Sequence, residues 1–169
     1  MEKCLREGLR HRAVAVLVIR GDGRMVIQVR SKNDHWQPGR WTLSCTGHVG
    51  AGESYAHAAR RELAEELGLN STLVPLTKVF LPKVRGRGSV EFEVVHLFKT
   101  RTDAPLSVDP VELDGVRLFD PSELARLMEG RRLTPDAKMM LREYARATRV
   151  RPSSRRRRLG PPRPAREKR

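Results

Sequence analysis

At 169 residues and 19.2 kDa, the chain is the size of one domain that can bury its own core without cross-links. Its 34 Lys+Arg against 20 Asp+Glu leave a net charge of +14, and 38% hydrophobic with 32% charged residues suits a soluble fold rather than a membrane protein. Two cysteines, Cys4 and Cys45, are too few for a disulfide framework and lack metal-ligand spacing; no apolar run nears the ~18 residues of a membrane helix, and MEKCLREGLRHR is not a secretory leader. The cytoplasm is therefore the expected compartment, and no membrane contact is expected.

AVAVLVI (13–19) reads as a buried strand, and Gly21-Asp22-Gly23 as a turn into a second strand, RMVIQVR (24–30). SKNDHWQPGR (31–40) breaks both periods and reads as loop, and WTLSCTGHVG (41–50) supplies a short extended stretch. From Glu53 the period becomes 3.6, with Tyr55, Ala59, Leu63 and Leu67 on one stripe and Gly68 placed as the stop, which predicts a helix over 53–67. STLVPLTKVFL (71–81) and SVEFEVVHLFKT (89–100) are strand candidates on either side of KVRGRG, which reads as a mobile basic turn, and VELDGVRLF (111–119) is a further strand. Two helices follow, one opening at Asp120-Pro121 with Glu123 in capping-box position, the other at Thr134-Pro135-Asp136. Strands and helices mix without regular alternation, so the expected class is α/β (α+β), a mixed sheet covered by helices on both faces. One domain over 1–150 precedes a tail, 151–169, with nine bases against the single acid Glu167, hence +8. Rich in proline and poor in apolar residues, the tail is expected to be disordered. It reads either as a weak nucleic-acid contact acting by counterion release or as a solubilising extension, the latter favoured.

Against this basic background, GHVGAGESYAHAARRELAEELGL (47–69) concentrates glutamate. Glu62, Glu65 and Glu66 are neighbours on a helix, with Glu53 at its entrance, and their mutual repulsion calls for compensation. Oxygen ligands with high negative charge suit Mg²⁺ or Mn²⁺, hard cations that bind substrate phosphates at the same time. Arg61 has i,i+4 spacing to Glu65 and can orient it, while Gly47, Gly50 and Gly52 permit close approach of the backbone. The competing reading is an ordinary solvated helix, since ARRELAEEL is a composition that a surface helix can carry.

Spacing decides between them. Gly47, Glu53, Arg61, Glu62, Glu65, Glu66 and Gly68, with the intervening aliphatic positions, resemble the signature of the Nudix hydrolases. The resemblance implies an α/β/α sandwich with a mixed sheet over roughly 11–149, and metal-dependent hydrolysis of a pyrophosphate bond in a nucleoside diphosphate derivative or related organic pyrophosphate. It implies Glu62, Glu65 and Glu66 as metal ligands, the Thr46 carbonyl as a further one, and Arg61 as the residue positioning a carboxylate. Glu65, Glu66, Arg61 and Glu112 form the expected catalytic set, with Glu91 and Glu93 as alternatives to Glu112 for the general base.

LRHRAVAVLVI, QPGRWTLSCTGH and SVEFEV are also similar to type I isopentenyl diphosphate isomerases, a branch of the same fold. That resemblance places His11, His48, Glu91 and Glu93 where the isomerases bind metal. It places Thr46 where their catalytic cysteine stands, one residue after Cys45, and Cys4 where a further metal histidine would fall. The intact box favours a hydrolase of the isomerase-like branch, with an isomerase as the alternative. A non-catalytic nucleic-acid binder is disfavoured because clustered carboxylates repel a phosphate backbone. His48, Arg40, Glu91 and Glu93 are the substrate-binding candidates, and Lys83, Arg85 and Arg87 are further phosphate clamps if not simply a solvated charge run. His35, His57 and His96 carry no role. Trp36 and Trp41 are read as packing rather than base stacking.

Overall fold

The computed structural model describes residues 2–34, 36–86 and 89–149; the tail, His35 and Arg87 lie outside the described residues. Among those residues, seven strands form one sheet, with β1 (His11–Ile19), β2 (Met25–Arg30), β3 (Trp41–Thr42), β5 (Val74–Phe80) and β8 (Glu93–Arg101) in the order β3-β2-β1-β8-β5. β4 (Cys45–His48) pairs with β1, and β9 (Leu113–Phe119) with β2. β1 runs parallel to β8 and every other pairing is antiparallel, which makes the sheet mixed as expected. β6 (Val84–Arg85) and β7 (Val90–Glu91) make a separate small pair, so part of the segment read as a basic turn is extended.

The unbroken apolar run in β1 follows from burial on both faces. Ala13, Ala15 and Leu17 enter one core with Leu133, Ala137, Met140 and Leu141, beneath α3 (Pro121–Glu129) and α4 (Pro135–Arg149). Val14, Val16 and Val18 enter the other with Ala58, Ala59, Leu63 and Leu67 of α2 (Tyr55–Leu67). The result is the expected three-layer sandwich. α2 starts two residues later than the 53–67 expectation because Ser54, in extended conformation, caps it by accepting from the His57 N–H at 3.2 Å. Gly68 ends it with φ 64°, in the left-handed region. The Asp120–Glu123 capping box forms as read, with both reciprocal bonds present.

Three features depart from the sequence reading. A first helix, α1 (Glu2–Glu7), precedes β1; with six residues and none buried it has no apolar stripe to read. The segment 89–100 is not one strand, since Phe92 separates β7 from β8 and its carbonyl accepts from the His11 N–H at 2.9 Å. The stretch 41–50 likewise divides into β3 and β4 around Leu43 and Ser44. β1 and β2 pair only at Ile19 and Met25, and beyond that point they separate to admit β4. Fully buried Ser44 fills the fork: its Oγ accepts from Val18 N at 2.8 Å and donates to Val26 O at 2.5 Å, standing in for a missing ladder rung. No helix among the described residues is long and apolar enough to cross a membrane.

Ser44→Ala strips a buried N–H and a buried C=O of their partners, so it should lower unfolding stability by roughly 1–3 kcal/mol in denaturant titration with an unchanged m-value. Wild-type stability in the Ser44→Ala protein would show that the fork is held by other means.

Candidate active site

The glutamate helix does not have a solvated acidic face. Glu62 and Glu66 lie on the buried side of α2 at 9% and 4% exposure, beside Leu63 and Leu67. Glu65 is the exposed member, with its side chain 49% accessible. Burial, then the neighbouring Glu62 and Glu112 charges, push the Glu66 carboxyl well above the ordinary range. Burial also raises Glu62, against the opposing pull of Arg61.

Arg61 ties the cluster together. Its Nε and Nη2 donate to the two oxygens of Glu53 at 3.1 and 3.2 Å, and its Nη1 donates to Glu62 at 2.8 Å and Glu65 at 2.9 Å. Nη2 also donates to the His48 carbonyl at 3.0 Å, fastening the end of β4 to α2. Arg61, followed by the Gly50 N–H at 2.8 Å, holds the Glu53 carboxyl down at about 2. Glu53 therefore belongs to the loop-and-helix junction rather than to the cavity, and His57, whose Nδ1 lies 2.9 Å from Glu53 Oε1, is part of the same junction. Gly47 is required for space: a Cβ there would sit 2.0 Å from the Glu62 carboxyl carbon.

Thr46, Gly47, Arg61, Glu62, Glu66 and Glu112 line one side of a cavity of about 730 Å³. His48, Glu91 and Glu93 line the same cavity. There the structure builds a second cluster, since β1 is flanked by β4 and β8 and this register sets His11 beside Glu93 with His48 close by. His11 Nε2 lies 3.5 Å from Glu91 and 3.6 Å from Glu93; His48 Nε2 lies 3.8 and 3.3 Å from the same pair. One ligand atom from each of the four falls within 4.8 Å of the others, a set that can hold a metal ion. Because His11 Nδ1 lies 3.0 Å from the Leu9 carbonyl, an acceptor only, the ring proton belongs on Nδ1 and Nε2 faces the carboxylates. Burial alone would lower the His48 imidazole, but Glu91 and Glu93 outweigh it and hold it up at about 9. For Glu93, burial pulls upward and the two histidines prevail, setting it at about 2. Glu91 and Glu93 come from separate strands, β7 and β8, rather than one solvent-facing row.

Three buried polar atoms in these two clusters have no hydrogen-bond partner: Glu66 Oε2, Glu91 Oε2 and His11 Nε2. All are electron-pair donors toward a cation. The residues present thus fit divalent-cation binding at both clusters, with carboxylate oxygens at the box and a mixed imidazole–carboxylate set at His11, His48, Glu91 and Glu93.

Not every sequence candidate converges here. Arg40 donates to Gln37 at 2.8 Å and to the carbonyls of Arg131 and Leu133, bracing the 36–40 loop against the α3–α4 connection, and it does not line the cavity. Lys83 and Arg85 do not line it either. Cys45 is fully buried, and burial followed by the Glu66 charge pushes its thiol well up, away from reactivity. Trp41 packs edge-on against Phe119 at 5.4 Å, while Trp36 lines the cavity. Sequence reasoning missed Gln28, Arg30 and Asp136 as lining residues. Gln28 and Arg30 share a strand face in an otherwise apolar run, which was the available signal; Asp136 was hidden in a helix-start pattern.

The family model described as NUDIX domain matches residues 9–142. The chain belongs to the Nudix family. Family membership supports a pyrophosphohydrolase enzyme. Among curated proteins, the chain is 36% identical over 146 residues to an isopentenyl-diphosphate Delta-isomerase of Cereibacter sphaeroides, covering 81% of this chain and 80% of that protein. Among solved structures, a Deinococcus radiodurans protein superposes with TM-score 0.67 at 25% identity, covering 78% of this chain and 81% of that one. A MutT NUDIX hydrolase from Burkholderia pseudomallei shares the fold with TM-score 0.65 at 22% identity, covering 79% and 97%.

Within the Nudix box, Arg61→Met should return the Glu53 carboxyl from about 2 toward its ordinary 4.5 in a ¹³C NMR titration. The folded value lies below the unfolded one, so this contribution to stability is complete above about pH 4.5 and is lost as pH falls through about 2. A Glu53 that titrates alike in both proteins would show that Arg61 does not govern it.

Proposed function

We propose that the chain is a metal-dependent Nudix hydrolase that cleaves a pyrophosphate bond in a nucleoside diphosphate derivative or a related organic pyrophosphate. The observation that carries this reading is the burial of Glu62 and Glu66 against a cavity, with Glu66 Oε2 unpartnered there. Two carboxylates held in a low-dielectric wall cost several kcal/mol unless a cation meets them.

In this reading Glu62, Glu65, Glu66 and the Thr46 carbonyl hold Mg²⁺ or Mn²⁺. The bound cation supplies positive charge to the phosphate oxygens and acidifies a coordinated water. Arg61 fixes the Glu62 and Glu65 carboxylates by hydrogen bonds, Glu65 at the exposed edge of the cavity lining, and Gly47 leaves room for the Glu62 carboxylate. Glu112 lines the cavity, where partial desolvation and the Asp109 and Glu65 charges raise its proton affinity, so it would accept the proton of the attacking water. His48 and Glu93, from the second cluster, line the same cavity and would meet the substrate there.

A second reading, isopentenyl diphosphate isomerisation, is favoured by the named relatives and by the His11, His48, Glu91 and Glu93 cluster. Thr46 in the place of the isomerases' cysteine and the inert, buried Cys45 favour hydrolysis instead. A panel of nucleoside diphosphate derivatives and isopentenyl diphosphate, assayed with Mg²⁺ and with Mn²⁺, separates the two. Hydrolysis releases phosphoryl products, whereas isomerisation yields only the allylic isomer.

Glu66→Gln should lower turnover at least about 100-fold while leaving the folded far-UV spectrum intact, and Cys45→Ser should change turnover less than about threefold. Full activity of the Glu66→Gln enzyme with Mg²⁺ would remove the metal assignment.

A further inference from the structure

α2 does not cover the whole of the sheet face on which it packs. At the N-terminal ends of β1 and β8, register aligns Arg12 with Val94 and Val94 with Phe80, and the next row aligns Val14, His96 and Lys78. Arg10 and Phe92 extend the same face. Rings and cations alternate across it. The Arg10 guanidinium lies 4.3 Å from the Phe92 centroid and 5.9 Å from that of Phe80, and Lys83 Nζ lies 5.8 Å from Phe92. Arg12 and Lys78 approach the Tyr55 ring at 5.5 and 5.2 Å. None of these aligned residues is acidic. Phe80, on the outermost strand β5, is 63% exposed, and Leu9, next to Arg10, is 44% exposed.

One exposed ring, Phe80, among guanidinium planes and ammonium groups matches the chemistry of an unpaired nucleic acid strand, whose bases stack on rings and guanidinium planes while its phosphates meet the charges. An A-form or B-form duplex hides those base faces. We infer that this open sheet face, built from Arg10, Arg12, Lys78, Phe80, Lys83 and Phe92, is a docking surface for single-stranded nucleic acid, separate from the hydrolytic cavity. Charge complementarity with the four cations of this face, Arg10, Arg12, Lys78 and Lys83, commits the occupant to a polyanion, and the exposed Phe80 ring commits it to one with stackable bases. Arg12 has a second duty, donating to the Gly50 and Glu53 carbonyls at 2.9 Å, so strand binding is mechanically continuous with the Nudix loop.

The test is fluorescence anisotropy of a labelled twelve-nucleotide uridine strand and of a duplex of equal length, titrated with the full chain at several salt concentrations. Phe80→Ala removes a ring and no charge, and should weaken single-strand binding about fivefold or more. Lys78→Gln/Lys83→Gln should lower the slope of log affinity against log salt by about 0.7 per cation removed. Both variants should keep wild-type turnover, and the strand should bind more tightly than the duplex. The proposal is overturned if Phe80→Ala and the lysine pair bind as the wild type does while replacing Arg155–Arg158 with Gln abolishes binding, because the tail alone then carries it. It is equally overturned if the wild type binds neither probe, if the duplex is preferred, or if a polyglutamate peptide displaces the strand as well as unlabelled RNA does.

Discussion

One guanidinium holds the functional end of this molecule together. Arg61 meets Glu53, Glu62 and Glu65 and the carbonyl of His48, so a single side chain joins the glycine-rich loop, the helix and the end of β4. Without it, the carboxylates on adjoining turns of one helix would repel one another in a partly desolvated wall. With it, Glu62 is aimed through the space left by Gly47, and Glu66, one turn on, is left facing the cavity with an oxygen that no protein group satisfies. The protein compensates most of the acidic cluster internally and leaves Glu66 Oε2 without a protein partner.

The second organising element is β1. Its two-sided burial accounts for its composition, and its neighbours account for the site. β8 lies parallel along one edge, while the other edge is shared, with β2 at one end and β4 at the other. That sharing, sealed by the Ser44 hydroxyl, brings His48 next to His11 and next to the carboxylates flanking Phe92. The box and the histidine cluster come from distant parts of the chain, yet both open into one cavity because both hang from the N-terminal half of one strand. Those same strand ends also carry the arginine and phenylalanine rows. Phe92, at the junction of β7 and β8, meets Arg10, while Glu91 and Glu93 on either side of it meet His11 and His48.

The sequence was legible where the controlling interactions are local. β1, α2 and the capped starts of α3 and α4 show in periodicity and in cap residues a few positions apart, and their observed bounds lie within about two residues of expectation. The box residues were readable from spacing, yet that Glu62 and Glu66 are buried while Glu65 is exposed depends on how α2 rolls onto β4, a tertiary fact. Ser44 as a substitute rung and the break at Phe92 depend on pairings across the sheet that no short window contains, and Arg30 and Asp136 reach the cavity wall only through the way β2 and α4 pack around it. Arg40 was misplaced for the same reason: a basic residue in a loop before the motif resembles a phosphate clamp until the α3–α4 connection is seen to occupy it. α1 left no trace because a six-residue helix with no buried face has none to leave.

The most direct test of the central claim is a crystal structure of the chain grown with Mn²⁺ and a non-hydrolysable methylene diphosphonate, read by anomalous scattering. Manganese density bridging the Glu62 and Glu66 carboxylates and the diphosphonate oxygens, at about 2.2 Å from each ligand, is the result this account predicts. Manganese confined to the His11 and Glu93 cluster, with the box glutamates making only protein contacts, would contradict it.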